Sequence, residues 1–377
     1  MISAFLLVLA TAVSSCPTCH FPQHSWNTVP AFFHSSQHSS PANDGTFTEA
    51  ALTTIAKFPM VTIEKWQGDE VEPYMYEDVA MINAARQVKA KSPNTTVVVW
   101  FDSFRIYTAD YALNPDINSN CGDGHFRPAA FLETGGHPSR KTGDPTSIYL
   151  LKNTSGLPAL EPWSGCHIFD HTQQLARDYW TGMCFNMTLS GVVDGCGADA
   201  SWQNGWDQKA DWHLSDSTAS AWRDGHAQMM RQTTAALQPG GILLGKQPYE
   251  IGDYVNGALH EGCDPSNETI ITLMNLTAQA FDKPTVYQCH TTEFSIDSLA
   301  AFLIGAGPGH YYGTGGWMET ESDDMSSHRP VEFDKALGDP LGAGMYDGYS
   351  TWTRSFASGT KVMFNAKTQK GTINWSK

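Results

Sequence analysis

From about residue 29 onward the chain alternates between short apolar runs and longer amphipathic segments, and this alternation restricts the folds it can adopt. Apolar runs without polar alternation are typical of parallel strands buried on both faces, and apolar residues near the helical period predict helices between them. The predicted strands are residues 29–35, 60–66, 95–103, 192–194, 242–247, 254–261, 285–290 and 309–313. The predicted helices are residues 48–57, 76–91, 171–189, 217–237, 268–281 and 295–304. Eight strands with mostly helical connections predict an α/β fold, a (β/α)8 TIM barrel.

Two further segments complete this prediction. A long irregular section, about residues 104–169, forms an insertion after the third strand, and residues 361–375 form a C-terminal β-hairpin. No linker or internal repeat divides the chain, so residues 16–377 are predicted to be a single domain. A doubly wound open sheet is the alternative, but the chain has neither a G-x-G-x-x-G opening nor a P-loop.

Several features predict a secreted, extracellular protein. Residues 1–15 resemble a signal peptide, because an apolar stretch is followed by small residues. The even number of cysteines favours disulfides in an exported chain, and we expect a Cys121–Cys166 bond to staple the insertion. The disulfide candidates are Cys16, Cys19, Cys121, Cys166, Cys184, Cys196, Cys263 and Cys289. The predicted N-glycosylation sites are Asn94, Asn153, Asn186, Asn267, Asn275 and Asn374.

The net charge of −16 argues against nucleic acid and anionic membranes as partners. We expect no membrane association after removal of the signal peptide, and the oligomeric state is left open. No cofactor or metal is expected either. The C-x-x-C-H pattern at residues 16–20 favours a structural disulfide over haem attachment, and the closely spaced histidine pairs lie outside predicted helices.

The stretch 191–199 (GVVDGCGAD) contains the most informative predicted strand end. Val192 and Val193 are β-branched and favour a strand, and the glycines that follow Asp194 allow a sharp turn. Asp194 is therefore predicted at the carboxyl end of a buried strand, where barrel enzymes place their chemistry. The competing interpretation is an Asp that caps the next turn.

Polar residues at the other predicted strand ends complete a ring. Glycoside hydrolysis needs two carboxyl groups, one to protonate the leaving oxygen and one as nucleophile or base. We predict Asp194 as nucleophile and Glu261 as acid/base, with Asp102 and Glu64 as alternative catalytic carboxylates or ligands of substrate hydroxyls. The predicted substrate-binding residues are Lys246, His290, Tyr311, Trp66, Trp202 and Trp317.

The chain resembles the (β/α)8 glycoside hydrolases, in particular the "hypothetical glycosyl hydrolase" barrels. The resemblance rests on GVVDGCGAD, on a preceding WFDSF strand, on a late NGALHE strand and on the terminal KVMFN…GTINW hairpin. It implies carboxylate catalysis at the ends of strands four and six, on a polysaccharide or glycoconjugate. The insertion has no counterpart in that pattern, so the substrate stays open.

Two other functions fit the same residues. A non-catalytic secreted glycoprotein could keep the barrel and bind carbohydrate or assemble in the extracellular matrix. A polysaccharide lyase would abstract a proton with Lys246, His290 or Tyr311 instead of using a carboxyl pair.

Overall fold

The computed structural model describes residues 19–38, 44–68, 77–106, 149–162, 166–201, 208–247, 251–279, 281, 284–320 and 323–376. Within them, a nine-stranded parallel sheet follows chain order, except that its last and shortest strand pairs with the first. The strands are β1 (Phe33–Gln37), β2 (Met60–Ile63), β3 (Thr96–Asp102), β4 (Gly195–Asp199), β5 (Ile242–Gly245), β6 (Gly257–Glu261), β7 (Val286–Thr291), β8 (His310–Thr314) and β9 (Met318–Glu319). The prediction of an α/β fold with a parallel sheet is confirmed.

The sheet is curled, because its first and eighth strands come together. The backbone amide of Phe32, just before β1, donates to the carbonyl of Tyr312 in β8 at 3.1 Å. The amide of Tyr312 in turn donates to the carbonyl of Pro30 at 2.9 Å. These two hydrogen bonds join strands that are far apart in the sequence.

Helices connect most of the strands. They are α1 (Glu49–Ile55), α2 (Glu77–Lys91), α3 (Gln174–Thr188), α4 (Gln208–Asp211), α5 (Asp216–Leu237), α6 (Asn267–Ala278) and α7 (Ile296–Gly305). Four of them begin after a serine or threonine whose hydroxyl accepts a hydrogen bond from a first-turn amide, which satisfies an otherwise unpaired donor. Among the described residues, no helix combines the length and the apolar character needed to cross a bilayer.

The parallel strands contribute to two separate cores, which explains their continuous apolar runs. In β3, Val98 and Trp100 belong to a cluster with Phe32, while Val97 and Val99 belong to the cluster packed against the helices. Successive side chains of a strand point to opposite faces, so each strand fills both clusters in turn. The same alternation decides whether a polar residue at a strand end points toward the cluster that contains Phe32 or toward the cluster packed against the helices.

The position of β4 corrects the sequence-based prediction. The strand begins at Gly195, so Asp194 precedes it and Asp199 ends it. A Cβ atom on Gly197 would lie 1.6 Å from Cε3 of Trp100, and one on Gly195 would lie 2.1 Å from the carbonyl oxygen of Ile242. The glycines are therefore part of the strand because neighbouring groups occupy the space of a side chain. They do not form a turn after it.

In the described part of the chain, one disulfide joins a helix to a strand and another joins two neighbouring strands of the sheet. Cys184 of α3 is bonded to Cys196 of β4, with their Cα atoms 5.9 Å apart. Cys263, just after β6, is bonded to Cys289 of β7, with a Cα separation of 5.2 Å. The prediction of disulfides is confirmed for these four cysteines. Cys19 and Cys166 are disulfide-bonded as well. The signal peptide, Cys16, Cys121 and most of the insertion lie outside the described residues, so the Cys121–Cys166 pairing stays a prediction.

The C-terminal hairpin belongs to a larger antiparallel sheet. Its strands are β10 (Met345–Tyr346), β11 (Thr351–Ser355), β12 (Lys361–Asn365) and β13 (Lys370–Asn374). From β11, the buried Arg354 donates to the carbonyl of Leu303 at 2.9 Å, and so binds a free carbonyl in the last turn of α7. The sheet is thereby fixed to the last helix of the parallel layer. The single-domain boundary at residues 16–377 stays a prediction.

Candidate functional site

Polar side chains converge at the carboxyl end of the parallel sheet, the end at which all eight long strands stop. They are His34, Glu64, Lys65, Asp102, Asp199, Lys246, Glu261 and His290. All of these except Glu261 are buried or nearly so. Buried charges need partners, and the contacts among these side chains supply them.

Asp199 lies at the centre of this group. Its Oδ2 accepts from Nζ of Lys65 at 2.7 Å, and its Oδ1 lies 3.0 Å from Nζ of Lys246. Burial alone would raise the pKa of Asp199, but the two ammonium groups outweigh burial and hold that pKa well below its usual value. The carboxylate is therefore ionised at neutral pH.

Lys246 links Asp199 to Glu261. The same Nζ atom that contacts Asp199 donates a hydrogen bond to Oε1 of Glu261. Burial would lower the pKa of Lys246, but Asp199 and Glu261 outweigh it, and the net shift of the pKa is upward. One charged ammonium group is thus shared by two carboxylates at the ends of β4 and β6.

Glu64 and His34 extend the group across β2 and β1. Oε2 of Glu64 accepts from Nζ of Lys65 at 3.3 Å, and Oε1 lies 3.3 Å from Nε2 of His34. Burial would raise the pKa of Glu64, but Lys65 and His34 together outweigh burial, and the net shift of the pKa is downward. A continuous series of contacts therefore runs from His34 through Lys65 and Asp199 to Glu261.

Asp102 binds residues of its own turn, although it pairs in register with Asp199 across β3 and β4. Its Oδ1 accepts from the amides of Phe104 and Arg105, and its Oδ2 accepts from the Arg105 guanidinium at 3.1 Å. Burial raises the pKa of Asp102 in spite of Arg105. These local hydrogen bonds fix the turn that leaves β3.

His290 and Trp317 lie beyond Glu261, on the β7 side. Their rings are stacked with centroids 3.9 Å apart, and both line a cavity of about 440 Å³ together with Glu261. Burial holds the pKa of His290 well below its usual value, so the imidazole is neutral. The predicted residues Lys246, Glu261, His290 and Trp317 therefore lie at one end of the sheet.

Asp194 lies at the opposite, amino end. Its Oδ2 accepts from the amide of Val97 and from Nζ of Lys89, both at 2.7 Å, and its Oδ1 accepts from the amide of His20 at 3.2 Å. The prediction that Asp194 ends a strand beside Glu261 is therefore wrong. The physical reason is the five-residue displacement of β4 along the chain.

Three predicted substrate-binding residues remain. Tyr311 is near the start of β8, and its hydroxyl donates to the carbonyl of Pro22 at the amino end, so the prediction that Tyr311 lies beside the strand-end ring is wrong. Trp66 follows Lys65 at the carboxyl end but is half-buried against the apolar cluster that packs on the helices. Trp202 lies outside the described residues.

Sequence reasoning missed Asp199 as a strand-end carboxylate. The signal that could have found it is the alternation Gly195, Gly197, Asp199, which continues the period of two to a polar residue. Among the described residues, no group of three potential metal ligands is arranged to hold an ion.

The fold and this site define a class of protein, a parallel α/β protein with acidic and basic side chains at the carboxyl ends of its strands, where barrel enzymes have their active sites. The chain belongs to hypothetical glycosyl hydrolase family 15, whose model matches residues 125–360. This confirms the predicted resemblance and supports glycosidase activity in general.

Solved structures resemble the chain in fold. A maltogenic α-amylase, AmyB, from Thermotoga neapolitana is 11% identical, with 92% of this chain and 87% of that chain covered and a TM-score of 0.50. A cyclic α-maltosyl-(1→6)-maltose hydrolase from Arthrobacter globiformis is 10% identical, with 93% and 97% covered and a TM-score of 0.49. The comparison with curated proteins finds no match.

Proposed function

We propose that the protein is a retaining glycoside hydrolase in which Asp199 is the nucleophile and Glu261 the acid/base. The observation that carries this proposal is the shared ammonium group of Lys246, which contacts one oxygen of each carboxylate. Two hydrogen-bond lengths keep these oxygens within about 6 Å of each other. Retaining enzymes have carboxyl groups about 5–5.5 Å apart, whereas inverting enzymes need roughly 6.5–9.5 Å.

The surroundings of the two carboxylates support different roles. Asp199 is ionised and held by two lysines, as a nucleophile requires. Glu261 has the longer side chain, is 41% exposed and lines the cavity, so it can reach a leaving-group oxygen. A substrate that enters between them displaces Lys246, and Glu261 can then carry the proton that it donates.

The reaction balances in two steps. Asp199 attacks the anomeric carbon while the glycosidic C–O bond breaks, and Glu261 gives its proton to the departing oxygen. Water then attacks the glycosyl–Asp199 ester, Glu261 takes a proton from that water, and Asp199 is released as a carboxylate.

We also propose that the curled sheet closes as an eightfold barrel and that the protein is secreted and N-glycosylated. The hydrogen bonds between residues 30–32 and Tyr312 support closure. The disulfides support export. Five of the six sequon asparagines are exposed and Asn153 is partly exposed, as glycan attachment requires. Secretion and N-glycosylation are tested together by producing the protein in a eukaryotic host: the secreted protein should lose mass when it is treated with a glycosidase that removes N-glycans.

A panel of aryl glycosides and polysaccharides tests the enzymatic proposal. We expect hydrolysis with an initial product of the same anomeric configuration as the substrate, as measured by NMR. Asp199→Ala should lose activity and, with azide, yield a glycosyl azide of inverted configuration, because azide attacks from the vacated side. Asp339→Asn, an exposed aspartate in the C-terminal region, is the control and should behave as wild type. Equal activity of Asp199→Ala and wild type would refute the assignment.

The two alternative functions have weaker support. For a lyase, the bases would be Lys246, which is charged and paired with two carboxylates, His290, or Tyr311, which lies at the other end of the sheet. A non-catalytic carbohydrate-binding protein would not need two carboxylates that share one lysine. An unsaturated product or a complete lack of turnover would favour these alternatives.

A further inference from the structure

The cavity beside Glu261 is separate from the contacts of Asp199. It has a volume of about 440 Å³ and is lined by residues of β6, β7 and the segments that follow these two strands, including Asp264 and Glu293, and by Trp317, which follows β8. Pockets of this size bind small ligands. The sheet runs in the order β4, β5, β6, β7, with Asp199 on β4 and Glu261 on β6. Since the cavity is lined from β6 and β7, it lies on the side of Glu261 away from Asp199.

His290 indicates that the cavity takes a polar ligand. Its side chain is only 1% exposed, yet neither ring nitrogen has a hydrogen-bond partner among the described residues. Buried polar atoms are nearly always hydrogen-bonded, and His290 lines the cavity. A neutral imidazole can donate at one nitrogen and accept at the other, which matches a sugar hydroxyl. Trp317, stacked on it, adds an aromatic surface.

The charges at the cavity restrict which sugar it accepts. Asp264 and Glu293 are both exposed at its edge, and neither has an ion-pair partner in the described part of the chain. Its described lining residues include no lysine or arginine. Two unpaired carboxylates repel an anionic ligand and attract a cationic one.

We propose that this cavity is a saccharide subsite for neutral or amino sugars and that it excludes uronic and sulfated sugars. Its place in the reaction rests on the proposed function: since it lies beyond Glu261, it holds the sugar whose oxygen Glu261 protonates. The substrate is then a neutral or amino-sugar polysaccharide or glycoconjugate.

Binding measurements test the charge selection without any need for turnover. The full chain is titrated at low salt with tetramers of glucose, of glucosamine and of galacturonic acid, and binding is followed by calorimetry. We expect the galacturonic acid tetramer to bind at least tenfold more weakly than the glucosamine tetramer. Equal or tighter binding of the acidic tetramer, or no binding of any tetramer, would overturn the proposal.

Matched double variants separate the cavity from overall charge. Asp264→Asn with Glu293→Gln removes both edge carboxylates and should reduce the ratio between glucosamine and galacturonic acid affinities at least threefold. Asp253→Asn with Glu49→Gln removes the same charge at exposed positions outside the cavity and should leave the ratio unchanged. If both double variants change the ratio equally, the cavity does not select by charge. All four positions are exposed, so both variants should fold.

The role of His290 is tested with the glucose tetramer. His290→Gln and Trp317→Phe should each weaken its binding at least fivefold, and unchanged affinity in both would refute the subsite. Tetramer binding without hydrolysis of any glycan would refute the proposed function and leave the subsite intact. Hydrolysis of a glycan combined with tight binding of the acidic tetramer would support the proposed function and refute the subsite.

Discussion

The two ends of β4 each have a largely buried aspartate beside a lysine, but the two sites are built differently. At the amino end, Asp194 accepts hydrogen bonds from the backbone amides of Val97 and His20 as well as from Lys89. At the carboxyl end, Asp199 is held mainly by two lysine side chains, apart from the amide of its neighbour Ala200.

This difference separates a structural carboxylate from a reactive one. Backbone amides of strands and ordered segments cannot leave Asp194 without local unfolding, so its lone pairs are permanently occupied. An ammonium group on a flexible side chain can move when a substrate arrives. Burial and a lysine partner therefore do not by themselves identify a catalytic aspartate.

The first prediction concerns activity. Asp199→Asn should reduce kcat by about 10⁴-fold or more, because the amide is a poor nucleophile. The measurement is nitrophenol release from the aryl glycoside that the wild type hydrolyses fastest. Asp194→Asn should stay within threefold of the wild type under conditions where it is folded. A comparable loss of kcat in both variants would contradict the distinction.

The second prediction concerns stability, for which we expect the larger effect at Asp194 and the smaller effect at Asp199. Asp194→Asn should lower the free energy of unfolding by about 3 kcal/mol, because it leaves the largely buried ammonium group of Lys89 unpaired. Asp199→Asn should cost less, since Lys65 keeps Glu64 and Lys246 keeps Glu261. Urea unfolding at pH 7 measures both. An equal loss would mean that the amino end is no more structural than the carboxyl end.

Much of the carboxyl end could be predicted from the sequence. The apolar run of β3 is buried on both faces, so its strand character and the polar residue at its end follow from local pattern alone. Lys246, Glu261 and His290 were predicted at the ends of other apolar runs, and all three lie at the carboxyl end of the sheet. The predicted strand count also agrees with the eight longer strands of the sheet.

The position of β4 could not be predicted from local pattern. Gly197 is inside the strand because the Trp100 ring of β3 fills the space beside it, and that contact joins residues far apart in the sequence. Tyr311 was misplaced for a different reason. The strand β8 (His310–Thr314) lies within one residue of its predicted bounds, but Tyr311 is its second residue and therefore lies near the start of the strand instead of its end.

The third prediction compares the two lysines. Lys246→Met should raise the pKa of Asp199, because burial, which favours the neutral acid, is then opposed by Lys65 alone. Asp199 acts when ionised, so activity falls as the pH drops through its pKa. The acid limb of the kcat/KM profile should therefore move to higher pH. Lys89→Met should lower stability and leave the acid limb in place. If the acid limb moves in neither variant, Asp199 is not the group whose titration produces it.

The fourth prediction compares histidines at the two ends. His310, at the start of β8, has its pKa lowered to about 3 by burial, and its Nδ1 accepts from the amide of Gly307 at 3.1 Å. The unfolded chain binds this proton near pH 6.5, so stability is full above that pH and is lost as the pH falls toward 3. Between pH 7 and pH 5 the loss from His310 is about 2 kcal/mol, given its folded pKa of about 3.

His310→Asn keeps a hydrogen-bond acceptor and removes the titration. The difference in unfolding free energy between pH 7 and pH 5 should therefore shrink by about 2 kcal/mol relative to the wild type, as measured by urea unfolding at both pH values. His290→Gln at the carboxyl end should reduce the same difference, since burial lowers the pKa of His290 as well. Only His290→Gln should also weaken saccharide binding, because His310 faces the opposite end of the sheet. Weakened binding in His310→Asn would show that the two ends are coupled, and an unchanged pH difference would show that His310 is protonated in the folded protein.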